Sequence, residues 1–291
     1  MRFKLFLVHV FYKIKTWWPL WFYVVNYKAR KKFNTHKPDL SSLGKRIHDE
    51  LKHEGIATTT LDELFPGEHM LDTLLTYKNS LDLNNVSTHW KKEYLKNYWD
   101  KLPVFDAANP FVQFILSEKI ISIVTSYMSM WTKLGYYDLS LTLPVGKGAD
   151  PIRAQRWHRD PDEKRLLKVF IYLSDVDETA GPFTYIKKST YGNKYGSLFP
   201  QKSPAGIYPD EHRLLTKINQ DDIKEMTAPK GTVIFCDTSG FHKGGYATEK
   251  ERLMFTGFYS APSYHEARYY TLPPSFDSKQ FSPEVSFALG K

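Results

Sequence analysis

Gln155-Arg-Trp-His158-Arg-Asp160-Pro161, followed by Leu166-Leu-Lys-Val-Phe-Ile-Tyr-Leu173, is the stretch that decides the fold. The second segment is a short apolar run, too brief for a typical helix and rich in β-branched and aromatic residues, so it reads as a buried strand. The segment before it is then extended. In extended chain, residues i and i+2 point to the same side, so His158 and Asp160 share a face and can converge on one ion.

The triplet alone carries little weight. Ten histidines in a chain with 32 acidic residues give about one H-x-[DE] match by chance. A second match, His48-Asp-Glu50, exists. It falls in a strongly helical pattern, where i and i+2 diverge and cannot readily chelate. A protein kinase catalytic loop also contains H-R-D, but it needs an Asn five residues after the Asp. Here that position is Arg165, and no Gly-rich phosphate loop precedes it.

Downstream, short strand-like segments recur. Leu139, Leu141 and Leu143 alternate with polar residues, and Phe183–Ile186, Thr232–Cys236 and Leu253–Tyr259 follow. Turns such as Glu178-Thr-Ala-Gly-Pro182 separate them, a pattern of an antiparallel barrel or jelly roll rather than βαβ units. Residues 187–228 form a long insertion containing Gly192, Gly196, Pro200, Pro204, Gly206 and Pro209. Upstream, residues 39–135 read mainly as helix. Ser41 or Ser42 caps Leu43–Glu54, which Gly55 ends; Asp62 precedes a second helix, and Pro110 opens a third through Phe114, Ile115, Ile120 and Val124.

An iron(II) that binds a cosubstrate and O2 needs three protein ligands and three open positions. His242, in Phe241-His-Lys-Gly-Gly245 after the strand Thr232–Cys236, supplies the third. Ten residues on, Arg252 opens a strand, where a guanidinium can grip the distal carboxylate of 2-oxoglutarate through paired hydrogen bonds. Thr256 shares its strand face and can add a hydroxyl contact.

The order H-R-D, strand, A-G-P-F-T-Y-I, insertion, strand, F-H-K-G-G and then Arg resembles the phytanoyl-CoA dioxygenase-like family of iron(II)/2-oxoglutarate oxygenases. The resemblance spans about Tyr136 to Ser260. It implies a mainly β fold with flanking helices: a double-stranded β-helix (jelly roll) core with N-terminal buttressing helices. It implies His158, Asp160 and His242 as iron ligands, Arg252 as the 2-oxoglutarate anchor, and O2 consumption with release of succinate and CO2. Many members place the Arg eleven residues after the distal His rather than ten. Retention of Asp160 favours hydroxylation over halogenation, since related halogenases replace that carboxylate. Two other classes remain open from the residues alone: a non-catalytic jelly-roll binding module, and a cupin-like metalloenzyme that does not use 2-oxoglutarate.

Other site residues have weaker assignments. Trp157 is read as core packing, with pocket lining as the alternative. Arg153, Arg156 and Arg159 form a basic cluster, read as a solvated face or, alternatively, a pocket for an anionic substrate.

Charge isolates the N-terminus. Residues 1–38 hold nine Lys or Arg and no acid, so removing those nine from the net +8 leaves −1 for the remainder. A basic nucleic-acid groove through the body is therefore not expected. The arm also carries eleven aromatics, among them Trp17, Trp18 and Trp21. Leu7, Val10, Ile14, Trp17, Trp18 and Trp21 make a rough apolar stripe, with Pro19 as a break. Residues 1–33 are thus a membrane-surface segment, a helix packed on the body, or an anchor. The first of these points to a lipid or lipid-linked substrate rather than a free metabolite. The single Cys236 excludes an internal disulfide framework and suits a reducing, cytoplasmic setting with possible peripheral membrane contact. Four segments result: the arm 1–38, a helical support 39–135, a catalytic core 136–262 with its insertion, and a tail 263–291.

Overall fold

In the computed structural model, which describes residues 2–81, 87–89, 92–146, 148–161, 163–200, 208–264, 266 and 268–291, two antiparallel sheets face each other. The strands, numbered in chain order, are β1 (Ile56–Thr60), β2 (Ser87–His89), β3 (Lys92–Asn97), β4 (Lys133–Thr142), β5 (Leu166–Tyr172), β6 (Thr184–Ile186), β7 (Ile223–Glu225), β8 (Thr232–Asp237), β9 (His242–Lys243) and β10 (Arg252–Ser260). The larger sheet runs β1-β8-β5-β10-β4-β3-β2 and the smaller β7-β6-β9. This is the double-stranded β-helix with helical support that the strand spacing and the family likeness led us to expect.

Period-two alternation sorts the side chains of the larger sheet. Leu167, Val169 and Ile171 of β5, with Leu253, Phe255 and Tyr259 of β10, enter the main core under the helices. Their neighbours Phe170 and Tyr172 instead meet Tyr185 of β6 and Phe183 just before it, in a second core between the sheets. Each such fully buried apolar side chain contributes about 1.5–3 kcal/mol. The inter-sheet face also carries Lys168, Arg252 and Thr256 around a cavity.

Helices cover the outer face. Helix α3 (Ser42–Glu54) starts where the Ser41 hydroxyl accepts from Gly44 N and ends at Gly55, whose φ of 81° suits a residue without Cβ. Two short helices follow: α4 (Leu61–Leu64), opened by a Thr60–Glu63 capping box, and α5 (Met70–Ser80). The helix expected from Pro110 is two: α6 (Pro110–Leu116) and α7 (Glu118–Met128). Ser117 interrupts it, adopting extended backbone and capping Ile120 N. Strands β1 to β3 also break a region read mainly as helix. The insertion contains the short helix α8 (Glu211–Leu215) and β7; its Pro204 and Gly206 lie outside the described residues.

The arm is helical: α1 (Arg2–Lys15), a π-helical turn (Leu20–Val25) with Pro19 at its start, and α2 (Tyr27–Thr35). The expected single stripe is split. Trp21 is fully buried, whereas Leu7, Ile14 and Trp17 are exposed. Polar anchors explain the split. Lys15 Nζ donates to Glu163 Oε1 at 2.6 Å, Trp21 Nε1 to Glu163 Oε2 at 2.5 Å, and Asn26 Nδ2 to Ser263 Oγ at 3.0 Å. Among the described residues no single helix is long and apolar enough to cross a membrane. The bent α6–α7 pair passes a length and composition test, but its apolar residues are sunk in the core.

Candidate metal centre and 2-oxoglutarate pocket

The extended segment after the turn at Arg153–Gln155 lies alongside the chain through β9. His158 N donates to His242 O at 3.0 Å and His242 N to His158 O at 2.9 Å. Asp160 N donates to Thr238 O at 2.9 Å, and Gly244 N to Ala154 O at 3.0 Å. Backbone pairing thus brings two histidines from distant parts of the chain side by side, with ring centroids 4.2 Å apart.

One ligand-type atom from each of His158, Asp160 and His242 lies within 4.8 Å of the others, the only such trio among the described residues. Asp160 Oδ1 is 3.9 Å from His158 Nε2 and 3.9 Å from His242 Nε2. Each imidazole is oriented from behind: His158 Nδ1 meets Arg156 O at 2.9 Å, and His242 Nδ1 meets Gly240 O at 3.0 Å. A carbonyl can only accept, so Nδ1 carries the proton and Nε2 presents its lone pair to the centre. Burial, with His158 beside it, lowers the His242 pKa to about 3 and keeps that ring neutral. Donor identity, orientation and protonation therefore fit a divalent first-row metal such as iron(II), which these three side chains would hold.

Lys168 completes the carboxylate's setting. Its Nζ donates to Asp160 Oδ2 at 2.7 Å, leaving Oδ1 facing the histidines. Burial pushes the Asp160 carboxyl up, but Lys168, His242 and His158 outweigh it and hold the pKa well below the usual carboxylate range. Burial likewise works against the Lys168 ammonium, which Asp160 and Tyr136 stabilise more strongly. Removing one partner of a buried pair typically costs about 3–5 kcal/mol. Lys168 is the only charge in the run Leu166–Leu173, and that single charge is the signal in the sequence that marks it.

The trio opens onto a cavity of about 220 Å³ that also contains Arg252, Thr142, Thr256, Tyr94, Phe170 and Phe183. Arg252 is buried at 4% exposure. Its guanidinium donates to Gly181 O and, at 3.3 Å, to Thr142 Oγ1. Among the described residues no carboxylate pairs with it, and its Nε has no partner. Burial lowers the Arg252 pKa, yet an arginine side chain remains charged. Gly181 is required there: its φ is 68°, and a Cβ would meet Ala247 N at 2.5 Å. Tyr94, whose buried hydroxyl has no partner among the described residues, has its pKa raised by burial to about 12.

One expectation changes here, and the core-packing reading of Trp157 stands. The hydroxyl on Arg252 is that of Thr142, directly across the β4–β10 ladder, whereas Thr256 lies two pleat repeats further along β10, opposite Asp138. Cross-strand register, invisible in the sequence, decides this. Trp157 faces away from the cavity. It is buried with Ile186, Leu214 and Phe241, and its Nε1 donates to Glu211 at 3.1 Å.

The basic cluster also divides. Arg153 and Arg156 are exposed, with Arg156 over the Tyr208 ring at 5.3 Å and Tyr208 beside His158. Arg159 is not a solvated residue: it is 5% exposed, stacks on Phe241 and donates to the carbonyls of Ser189, Ser239, Tyr195 and Leu198. It ties the insertion to the core. His48, the chance match, sits on α3 with Nδ1 on Asp49, while Glu50 pairs with Arg46.

No curated protein sequence matches the chain. Among solved structures, the chain is similar to the non-haem alpha-ketoglutarate-dependent epimerase SnoN from nogalamycin biosynthesis, with a TM-score of 0.52, 14% identity, and 75% of this chain and 83% of that one covered. It is likewise similar to EctD from S. alaskensis in its apoform, with a TM-score of 0.50, 17% identity, and 81% and 83% covered. At such identities the likeness establishes the shared fold. The family model of phytanoyl-CoA dioxygenase matches residues 72–254, more than half of the chain, which therefore belongs to that family of iron(II)- and 2-oxoglutarate-dependent dioxygenases.

Proposed function

We propose that His158, Asp160 and His242 hold the iron, that Arg252 with Thr142 grips the distal carboxylate of 2-oxoglutarate, and that the enzyme hydroxylates an unactivated C–H bond of a small-molecule, lipid or lipid-linked substrate. The observation that carries this is the buried Arg252 guanidinium with no acidic partner among the described residues, in the same cavity as three converging metal-type ligands. A buried charge is costly unless paired, so the site is built for an anion. The same feature favours an oxoacid-dependent enzyme over a cupin-like metalloenzyme that dispenses with the cosubstrate.

When bound, iron(II), 2-oxoglutarate and O2 supply oxidative decarboxylation to succinate and CO2 coupled to oxidation of the substrate. The chain supplies placement. Lys168 occupies Asp160 Oδ2 and turns Oδ1 to the metal position. The carbonyls of Arg156 and Gly240 fix the two imidazoles. Phe170, Phe183 and Met254 give the cavity an apolar wall that limits water around the reacting groups. Arg153 and Arg156, exposed near the His158 side, are proposed substrate contacts at the rim. Thr256 is a further contact within the cavity. The exposed apolar residues of the arm support a substrate met at a membrane surface, with the protein peripheral to it.

Anaerobic purification followed by addition of iron(II) and 2-oxoglutarate tests the proposal. The expected result is a weak visible charge-transfer band and, with O2, succinate release. Failure of the wild-type protein to bind iron, or unchanged binding in Asp160→Ala, would overturn it.

A further inference from the structure

Helix α1 of the arm inverts the ordinary rule of burial. It buries Lys15 against Glu163 and Tyr12 at 7% exposure, while Phe6, Leu7, Phe11 and Ile14 are at least half exposed. Leu7, Phe11 and Ile14 follow i, i+4, i+7 spacing and so form one face. Trp17 continues the exposure, and Tyr23, Val24, Val25 and Tyr27 extend it through the π-helical turn into α2. Scattered exposed apolar residues are normal, but a concentration in one 22-residue stretch marks a surface made to be covered.

Rigid attachment keeps this face outward. Glu163, fully buried, receives Lys15 Nζ, Trp21 Nε1 and Ser263 Oγ, and Asn26 links to Ser263 in both directions. Trp18 stacks between Phe22 and Tyr191, with the Arg165 guanidinium over its ring. Such anchoring prevents the arm from rolling over to bury Phe11 and Ile14 on the body.

Charge selects the occupant. Lys13, Lys28, Lys31 and Lys32 are exposed on the same arm, which has no acidic residue. A second copy of this chain would bring like charges together at a two-fold interface, which is unfavourable. A bilayer surface containing anionic lipid offers apolar depth and negative charge together. We propose that residues 6–32 form a preformed docking surface for an anionic membrane, placing the enzyme on the bilayer independently of its metal chemistry.

The test is co-sedimentation of the full-length protein with phosphatidylcholine vesicles, with and without phosphatidylserine. The expected result is binding to the phosphatidylserine vesicles that weakens as salt rises. The triple variant Phe11→Ser, Trp17→Ser, Val24→Ser is expected to lose on the order of 100-fold in vesicle affinity or more. Lys28→Ala with Lys31→Ala is expected to lose roughly 30-fold. All five positions are exposed, and circular dichroism with thermal melting checks that the variants remain folded. Absence of vesicle binding in the wild type, or binding that these variants leave unchanged, overturns the proposal. So does a concentration-dependent dimer that the triple variant abolishes in a protein that ignores vesicles. The measurement needs neither iron nor 2-oxoglutarate, so its failure is distinguishable from failure of the oxygenase reading.

Discussion

His48–Glu50 and His158–Asp160 are the same sequence pattern on two backbones. On α3 the three side chains disperse: His48 to Asp49, Glu50 to Arg46. In the extended segment His158 and Asp160 turn to the same side, and a backbone bridge brings His242 to meet them. Residue identity supplies candidate ligands; backbone conformation determines whether they share a target. The second pattern also has what the first lacks, carbonyls behind each imidazole and a lysine on the spare carboxylate oxygen.

The strongest way to break this contrast is Asp160→Ala. Iron(II) affinity, read by calorimetry or by titration of the charge-transfer band, should fall by more than the roughly 10–100-fold that outer partners contribute. Arg252→Met comes next: 2-oxoglutarate affinity should drop on the order of 100-fold, while iron binding without the oxoacid stays near wild type. Equal loss of both would show that Arg252 acts through folding instead. Lys168→Met should weaken iron binding by about 10–100-fold as a partner of Asp160, and an unchanged affinity would remove it from the metal centre. At the small end, His48→Ala should leave iron and 2-oxoglutarate binding unaltered and change stability by no more than about 0.5 kcal/mol in chemical denaturation. A measurable loss of metal there would erase the distinction between the two matches.

What was legible in the sequence follows the same division between local and distant causes. The Ser41 cap, the Gly55 stop, β5, β8 and β10 are announced by their own residues, and so is the extended His158 segment. Strand β1 is not, because Ile-Ala-Thr-Thr-Thr has no period of its own and is extended by pairing with β8, 172–180 residues on. The exchange of Thr142 for Thr256 at Arg252 depends on the β4–β10 register. Arg159 reads as one of three surface arginines because its four carbonyl partners come from two distant loops. The lysine at 168 was visible and underused, a single charge in a buried strand.

Strand β10 sits between β5 and β4, yet among the described residues it is the last strand. During synthesis, β4 can pair with β3 and β5 with β8, but the edges of β4 and β5 that face β10 stay unpaired until residue 260 has cleared the ribosome. The larger sheet must therefore close late, through contacts of high sequence separation, which makes folding slow. The residue that opens this last strand is Arg252. A nascent chain shortened before it lacks both the keystone of the sheet and the group placed to receive the oxoacid, so truncated products should aggregate rather than persist as inactive enzyme.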